Sequence, residues 1–188
     1  MGRLIVVGIT SLDGYMNDVN GNFDWAEPSE EEHLFVNSVQ RGYRTHIYGR
    51  RLYETMRAWE DIAEDDANPA MAEYAEIWHG VDKIVVSATL ETVTTKRTTL
   101  RRDLDWLDGF KQTTEGDITI GGPTLAAHAI RAGLVDQYHV YVNPIVVGGG
   151  TRLFPDDYRA ELELTDERRF DNGVVYVAYR TTNGVSDG

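Results

Sequence analysis

The sequence predicts an α/β fold: a mostly parallel central sheet covered by helices on both faces, with antiparallel strands at its C-terminal end. Three observations carry that prediction. Residues 3–10 (RLIVVGIT) form an unbroken apolar, β-branched run, the pattern of a strand buried on both faces. Strand-like runs at 45–48 (THIY) and 117–121 (DITIG) each lead through glycine into a helical repeat, the rhythm of parallel sheets with crossover helices. Residues 138–147 and 174–180 are rich in Val and Tyr, with no helical period between them beyond a turn at 155–161, so they are expected to pair antiparallel.

The elements follow in order. The first strand ends in turn chemistry at Ser11, Asp13 and Gly14, and a polar loop over 11–28 sets Tyr15, Phe23 and Trp25 among Asp13, Asp18 and Asp24. A loop of that length in a compact domain is functional or disordered, and its aromatic residues argue against disorder. Ser29 with Glu32 forms a capping box after Pro28, and Leu34, Phe35, Val36 and Val39 give the first helix an apolar stripe that ends at Gly42. Leu52, Met56 and Trp59 mark a second helix directly after Gly49. Pro69 opens a third, with Met71, Tyr74, Ile77 and Trp78 inward and Gly80 closing it. Residues 83–88 (KIVVSA) read as another buried strand, and Pro123 starts a helix running through Leu125, Ala126, Ala129 and Ile130 to Gly133. With no repeat or linker in view, residues 1–182 are expected to form one domain and 183–188 a frayed tail.

Composition narrows the function. The 188-residue chain is long enough for a self-sufficient core, and it has no cysteine, which removes disulfides, thiolate metal sites and a cysteine nucleophile and suits a cytoplasmic location. The N-terminal apolar run is too short for a signal-peptide core or a membrane span, so no membrane partner is expected. A net charge of −13 argues against nucleic acid. The charge is unevenly spread: seven acids and no Lys or Arg lie between Asp13 and Phe35, whereas Arg41, Arg44, Arg50, Arg51 and Arg57 follow with only Glu54 among them. A local basic patch of that kind can hold one small polyanion. There is no G-x-G-x-x-G, no P-loop and no G-x-S-x-G, and the five histidines show no tight ligand spacing, so no metal is expected.

Two junctions suit a phosphate ester. Gly49-Arg50-Arg51 sets backbone N–H groups beside two guanidinium groups, with a plain tight turn as the alternative. Gly121-Gly122-Pro123-Thr124 lets the backbone approach a pyrophosphate at a helix N-terminus, the alternative being a turn that merely needs positive φ. Ser87 ends a strand where its hydroxyl either meets a ligand or caps a turn, and Gly148-Gly149-Gly150 reads as a flexible hairpin or bulge.

Taken in order, Leu12-Asp13-Gly14, Gly49-Arg50-Arg51, Ser87 and Ile120-Gly121-Gly122 give the chain a resemblance to dihydrofolate reductase, and more closely to the reductase domain of bacterial riboflavin biosynthesis. Residues 143–150 (NPIVVGGG) and Leu153-Phe154-Pro155 strengthen the likeness to the riboflavin-type enzymes, and it covers nearly the whole chain. The resemblance implies a dihydrofolate reductase-like three-layer α/β/α fold and NADPH as cofactor. It implies that Leu12 and Gly14 lie in a mobile loop over the nicotinamide, and that Gly49, Arg50 and Arg51 hold the adenosine-side phosphates. Ser87 would sit beside the 2′-phosphate, and Gly121, Gly122, Pro123, Thr124 and Leu125 would wrap the pyrophosphate. Two departures separate the chain from dihydrofolate reductases: Leu52 stands in place of a phosphate-binding Thr, and Ala126 in place of a Tyr beside the nicotinamide.

The expected activity is an NADPH-dependent reduction of a small heterocyclic, pterin- or pyrimidine-like, or carbonyl substrate by hydride transfer. Asp13 or Glu30 would orient or protonate the substrate, although Glu30 equally suits the dipole of a helix first turn. Trp25 would stack on a planar substrate or else anchor the loop, and Phe154 would line the same pocket. A non-catalytic nucleotide-binding protein and a true dihydrofolate reductase are the rival readings. The apolar C-terminal residues Tyr138, Tyr141, Val174, Val175 and Tyr176 suggest an edge covered by homodimerisation.

Overall fold

The computed structural model describes residues 1–62 and 68–182, so the expected frayed tail lies outside the described residues. The described elements run β1 (Leu4–Ser11), β2 (Tyr15–Asn17), α1 (Glu30–Gln40), β3 (Tyr43–Gly49), α2 (Arg50–Met56), α3 (Pro69–Gly80), β4 (Asp82–Val86) and β5 (Thr98–Arg101). They continue with α4 (Leu107–Thr113), β6 (Asp117–Gly121), α5 (Pro123–Arg131), β7 (Gln137–Asn143), β8 (Thr151–Arg152), β9 (Leu162–Arg169) and β10 (Val175–Thr181). Single 3-10 turns lie at Asp24–Ala26 and Arg57–Glu60. Among the described residues no helix is long and apolar enough to cross a membrane.

Eight strands form one sheet in the order β5-β4-β3-β6-β1-β7-β10-β9, and β2 pairs with β8 apart from it. The six from β5 to β7 are mutually parallel, β10 adds antiparallel to β7, and β9 adds antiparallel to β10. β1 pairs parallel with both β6 and β7, which is why its sequence shows no polar alternation. On one face Leu4, Val6, Ile47, Ile118 and Ile120 pack with Leu107 of α4 and with Ala126, Ala129 and Ile130 of α5. On the other, Tyr48 and Val85 meet Tyr74 and Trp78 of α3 and Leu52 of α2, while Phe35 and Val36 of α1 pack on Tyr141, Phe170 and Tyr176. The result is the expected three-layer dihydrofolate reductase-like architecture, held by side chains such as Trp78 and Tyr138 that are wholly buried. Each burial of that kind is worth about 1.5–3 kcal/mol.

Several expectations change. Leu34 is 46% exposed, and the inward side of α1 carries buried Glu32 and Asn37 instead. Glu32, Phe35, Val36 and Val39 share one side at i, i+3, i+4 and i+7, and Leu34 lies two residues off it, where helical geometry turns it to solvent. β4 stops at Val86 and β7 at Asn143, short of the expected 88 and 147. β2, β5, α4, β8 and β9 have no counterpart among the sequence-based expectations. β9 (LELTDERR) is the outermost strand and mostly exposed, so its charges blunt a sheet edge and hide its strand pattern. The apolar edge expected of the C-terminal strands is internal: Tyr138, Tyr141, Val174 and Tyr176 are buried, leaving Val175 at 38% exposure.

Candidate functional site

The carboxyl ends of β3 and β6 lie side by side, and the helices that follow them leave on opposite faces, α2 toward Tyr48 and Trp78 and α5 toward the Ile118–Ile120 side. Such a divergence opens a crevice outside the strand ends, the place where open α/β sheets bind ligands. The two turns touch there. Gly122 has φ 93°, and a Cβ on it would lie 3.7 Å from the backbone nitrogen of Gly49. Gly121 serves packing, since a Cβ on it would come within 2.5 Å of Leu52 Cδ2. Pro123 opens α5. Behind it the amides of Thr124 and Leu125, in the first helical turn, have no acceptor one turn back and face the crevice end of the helix dipole.

Beside this crevice a polar cluster gathers at the carboxyl end of β4. Arg50 donates from Nε to Glu54 at 2.7 Å and from Nη1 to Thr89 Oγ1 at 3.2 Å. Ser87 is 8% exposed, and its Oγ accepts from the amides of Thr89 (3.3 Å) and Leu90 (3.0 Å), so it holds the turn after β4 and leaves its own proton to give. Arg102, absent from the sequence-based candidates, donates to the carbonyls of Ser87 at 3.1 Å and Leu90 at 2.6 Å. Its only sequence signal was a pair of arginines, 101 and 102, at the end of a strand that itself had no clear pattern. Arg51 is exposed on the outer side of α2.

The segment after β1 is clasped to the glycine-rich turn before β8. Asp13 accepts from Ser11 Oγ at 2.7 Å and from the amides of Val147 (3.2 Å) and Gly148 (2.8 Å). The Ser11 hydroxyl, followed by these two amides, holds the Asp13 carboxyl below its ordinary pKa against a smaller opposing effect of desolvation. Leu12 donates its amide to Ile145 O at 2.7 Å, Leu153 donates to Gly14 O at 3.2 Å, and Thr151 donates to the Asn17 side chain at 3.1 Å. The run 148–150 is therefore a fastened turn. Asp13 has its carboxylate engaged in this clasp, which makes it a structural holder of the loop.

Toward α1 the carboxyl end of β1 presents Ile9, 38% exposed and on the same side as Val7, which packs with Phe35 and Val36. Trp25, half-buried, has its indole N–H buried with no acceptor among the described residues. Glu30 is exposed, whereas Glu32 is buried, accepts from Asn172 at 2.8 Å and has its pKa raised by desolvation. Glu32 was seen in the sequence only as a capping residue. Phe154 lies on the α5 face of the sheet, packing edge-on against Tyr138 at 5.1 Å and parallel to Tyr158 at 6.3 Å. There it lines an apolar cavity of about 240 Å³ together with Leu12, Val140, Leu153 and Val177. The crevice thus gathers Gly49, Arg50, Ser87 and Gly121–Leu125, with Leu12, Asp13 and Gly14 at its β1 side, and Leu12 and Gly14 also line the cavity that Phe154 borders.

The chain matches the RibD C-terminal domain family over residues 3–176. It is 28% identical over 185 residues to the uncharacterized protein YyaP of Bacillus subtilis (strain 168), covering 94% of each chain. Among solved structures, Enterococcus faecalis dihydrofolate reductase complexed with NADP(H) and RAB-propyl is similar at TM-score 0.66 and 14% identity, over 97% of this chain and 98% of that one. A Thermotoga maritima diaminohydroxyphosphoribosylaminopyrimidine deaminase/5-amino-6-(5-phosphoribosylamino)uracil reductase is similar at TM-score 0.66 and 11% identity, over 96% of this chain and 56% of that one. With its family match running from the first strand to the last, the chain belongs to the RibD C-terminal domain family.

Proposed function

We propose that the protein is an NADPH-dependent reductase acting on a small heterocyclic or carbonyl substrate. The observation that carries this reading is the meeting of the Gly49 and Gly122 turns at neighbouring strand ends, with Arg50 and Arg102 directly beside them. The residues present fit a dinucleotide. The bare backbone at Gly49 and Gly122 and the free amides of the α5 first turn suit a pyrophosphate. The guanidinium groups of Arg50 and Arg102, with the Ser87 hydroxyl, suit the extra phosphate that distinguishes NADPH from NADH.

Bound there, NADPH would supply the hydride. The chain itself supplies position and exclusion of water. Leu12 and Gly14 lie in the clasped segment at the end of β1, held over the crevice from one side. Trp25 offers a half-buried indole ring, and Glu30 offers an exposed carboxyl group at the start of α1 for orienting a substrate or passing it a proton. Arg51, exposed on α2, belongs to the same phosphate-binding surface.

The test is a fluorescence titration of NADPH and NADH into wild type and Arg50→Ala. A lost charge-assisted hydrogen bond is worth about 1.5–3 kcal/mol, so NADPH affinity should fall roughly tenfold to a hundredfold while NADH affinity barely moves. Equal losses for both cofactors, or no wild-type preference, would refute this assignment. NADPH oxidation against a panel of pterins, pyrimidines and quinones then separates an active reductase from a protein that only binds the nucleotide.

A further inference from the structure

We infer that the substrate side of this crevice takes a flat, uncharged or cationic compound and rejects a phosphorylated one. This rests on the reductase reading above. With the dinucleotide phosphates at the β3 and β6 turns and its adenosine end toward β4, the strand order leaves only the β1 side for the reacting end. The substrate must then lie between the carboxyl end of β1, the segment after it and the start of α1.

That wall carries no cation. Residues 12–40 contain no Lys or Arg and seven acids, of which Asp24, Glu27, Glu30 and Glu31 are exposed. The N-terminus of α1 would be the natural seat for a substrate phosphate, but its first turn already holds Glu30, Glu31 and Glu32 behind the Ser29 cap. The fold brings two arginines near, and each is held twice, by an acid and by an aromatic ring, where Arg50 has an acid and the Thr89 hydroxyl. Arg168 pairs with Glu31 at 2.8 Å and lies over the Phe35 ring, and Arg152 pairs with Asp156 at 3.3 Å and lies over Tyr15. A phosphate placed here would meet like charge at short range, with little to compensate for its desolvation.

What the wall does offer is apolar surface. Ile9 and Phe23 are 38% and 50% exposed, and Trp25, two residues after Phe23, is half-buried. An uncharged heterocycle suits such a surface. The phosphoribosyl compound named for the Thermotoga maritima relative does not, because its phosphate would have no partner on this side.

The experiment is isothermal titration of 5-amino-6-(5-phosphoribosylamino)uracil, its dephosphorylated counterpart and a protonated diaminopyrimidine into the protein, with and without saturating NADPH. The dephosphorylated and cationic compounds should bind at least tenfold more tightly than the phosphorylated one, with the gap narrowing as salt rises. The Glu27→Lys and Glu30→Lys variants, both at exposed positions, should narrow it further. Equal or tighter binding of the phosphorylated compound, or no binding of any of the three, overturns the inference. So does a selective loss of the phosphorylated compound in Arg57→Ala, since Arg57 after α2 would then be its phosphate partner. If NADPH fails to bind, the reductase reading falls and this inference with it; if NADPH binds while the phosphorylated compound binds as well as the others, this inference alone falls.

Discussion

The amide of Gly148 donates to Asp13 Oδ2 at 2.8 Å, joining two segments 135 residues apart in sequence. Through this bond and its Val147 neighbour, the segment that follows β1 at the crevice is tied to a turn that has no other part in the proposed site. Asp13→Ala should therefore loosen the loop without unfolding the sheet. Amide exchange in residues 12–17 and 146–150 should quicken and KM should rise, with Asp13→Asn intermediate because it keeps one carbonyl acceptor. Unchanged exchange in these segments would contradict the role. The Asp13 carboxyl is held below its ordinary value of 3.8 by Ser11 and the two amides. Its contribution is thus complete above that value and lost only as pH falls through the lowered one.

Gly150 and Gly148 make a matched pair of substitutions. Both have positive φ, 129° and 74°, yet an alanine Cβ at Gly150 would land inside the backbone carbonyl of Asn17, whereas at Gly148 nothing lies within 4 Å. Gly148→Ala should cost about 1–2 kcal/mol, the ordinary left-handed penalty. Gly150→Ala should cost about 3 kcal/mol or more and disrupt the β2–β8 pairing as well. Urea unfolding of the two variants checks the order, and equal costs would contradict it.

Acid should destabilise the fold well above the range where carboxylates titrate. Burial, followed by the nearby Lys83 charge, pushes His46 down to about 3, and burial pushes His139, hydrogen-bonded to the Tyr43 hydroxyl, to about 4. Both are neutral in the folded protein and take up protons on unfolding below their ordinary value of 6.5. Stability is therefore full above 6.5 and falls as pH drops toward the folded values, by about 1.4 kcal/mol per pH unit for His46 alone. Urea midpoints at pH 7.5 and 5.5 should show the loss. Equal midpoints would remove the two buried histidines from the account.

Self-association, if the protein pairs as proposed, has to use the outer face of the antiparallel strands rather than the buried tyrosines. Leu164 and Val175 stand 46% and 38% exposed there, on the same side as Val177 and the apolar cavity beside Phe154. Light scattering of the wild type should give a dimer mass, and Leu164→Glu with Val175→Asp should give a monomer that retains NADPH binding. A strictly monomeric wild type would end the proposal.

Much of the architecture is legible in the sequence because a parallel strand buried on both faces must be largely apolar, as in β1, and because Gly49 and Gly122 sit directly at strand-to-helix junctions. The candidate phosphate turns could be placed for the same local reason. Partnerships across the chain could not. Asp13 reads as a free acid until the Val147 and Gly148 amides fold onto it, and Leu34 reads as core until α1 buries Glu32 against Asn172. β9 reads as a charged loop because an edge strand needs only backbone pairing with β10. Phe154 falls on the α5 side of the sheet because the Leu153–Phe154 segment covers it, with Leu153 over Gly8. Local pattern determined which segments became strands, helices and glycine turns. Which acids stay exposed and which are held was settled only by distant partners, the Val147 and Gly148 amides for Asp13 and the Asn172 side chain for Glu32.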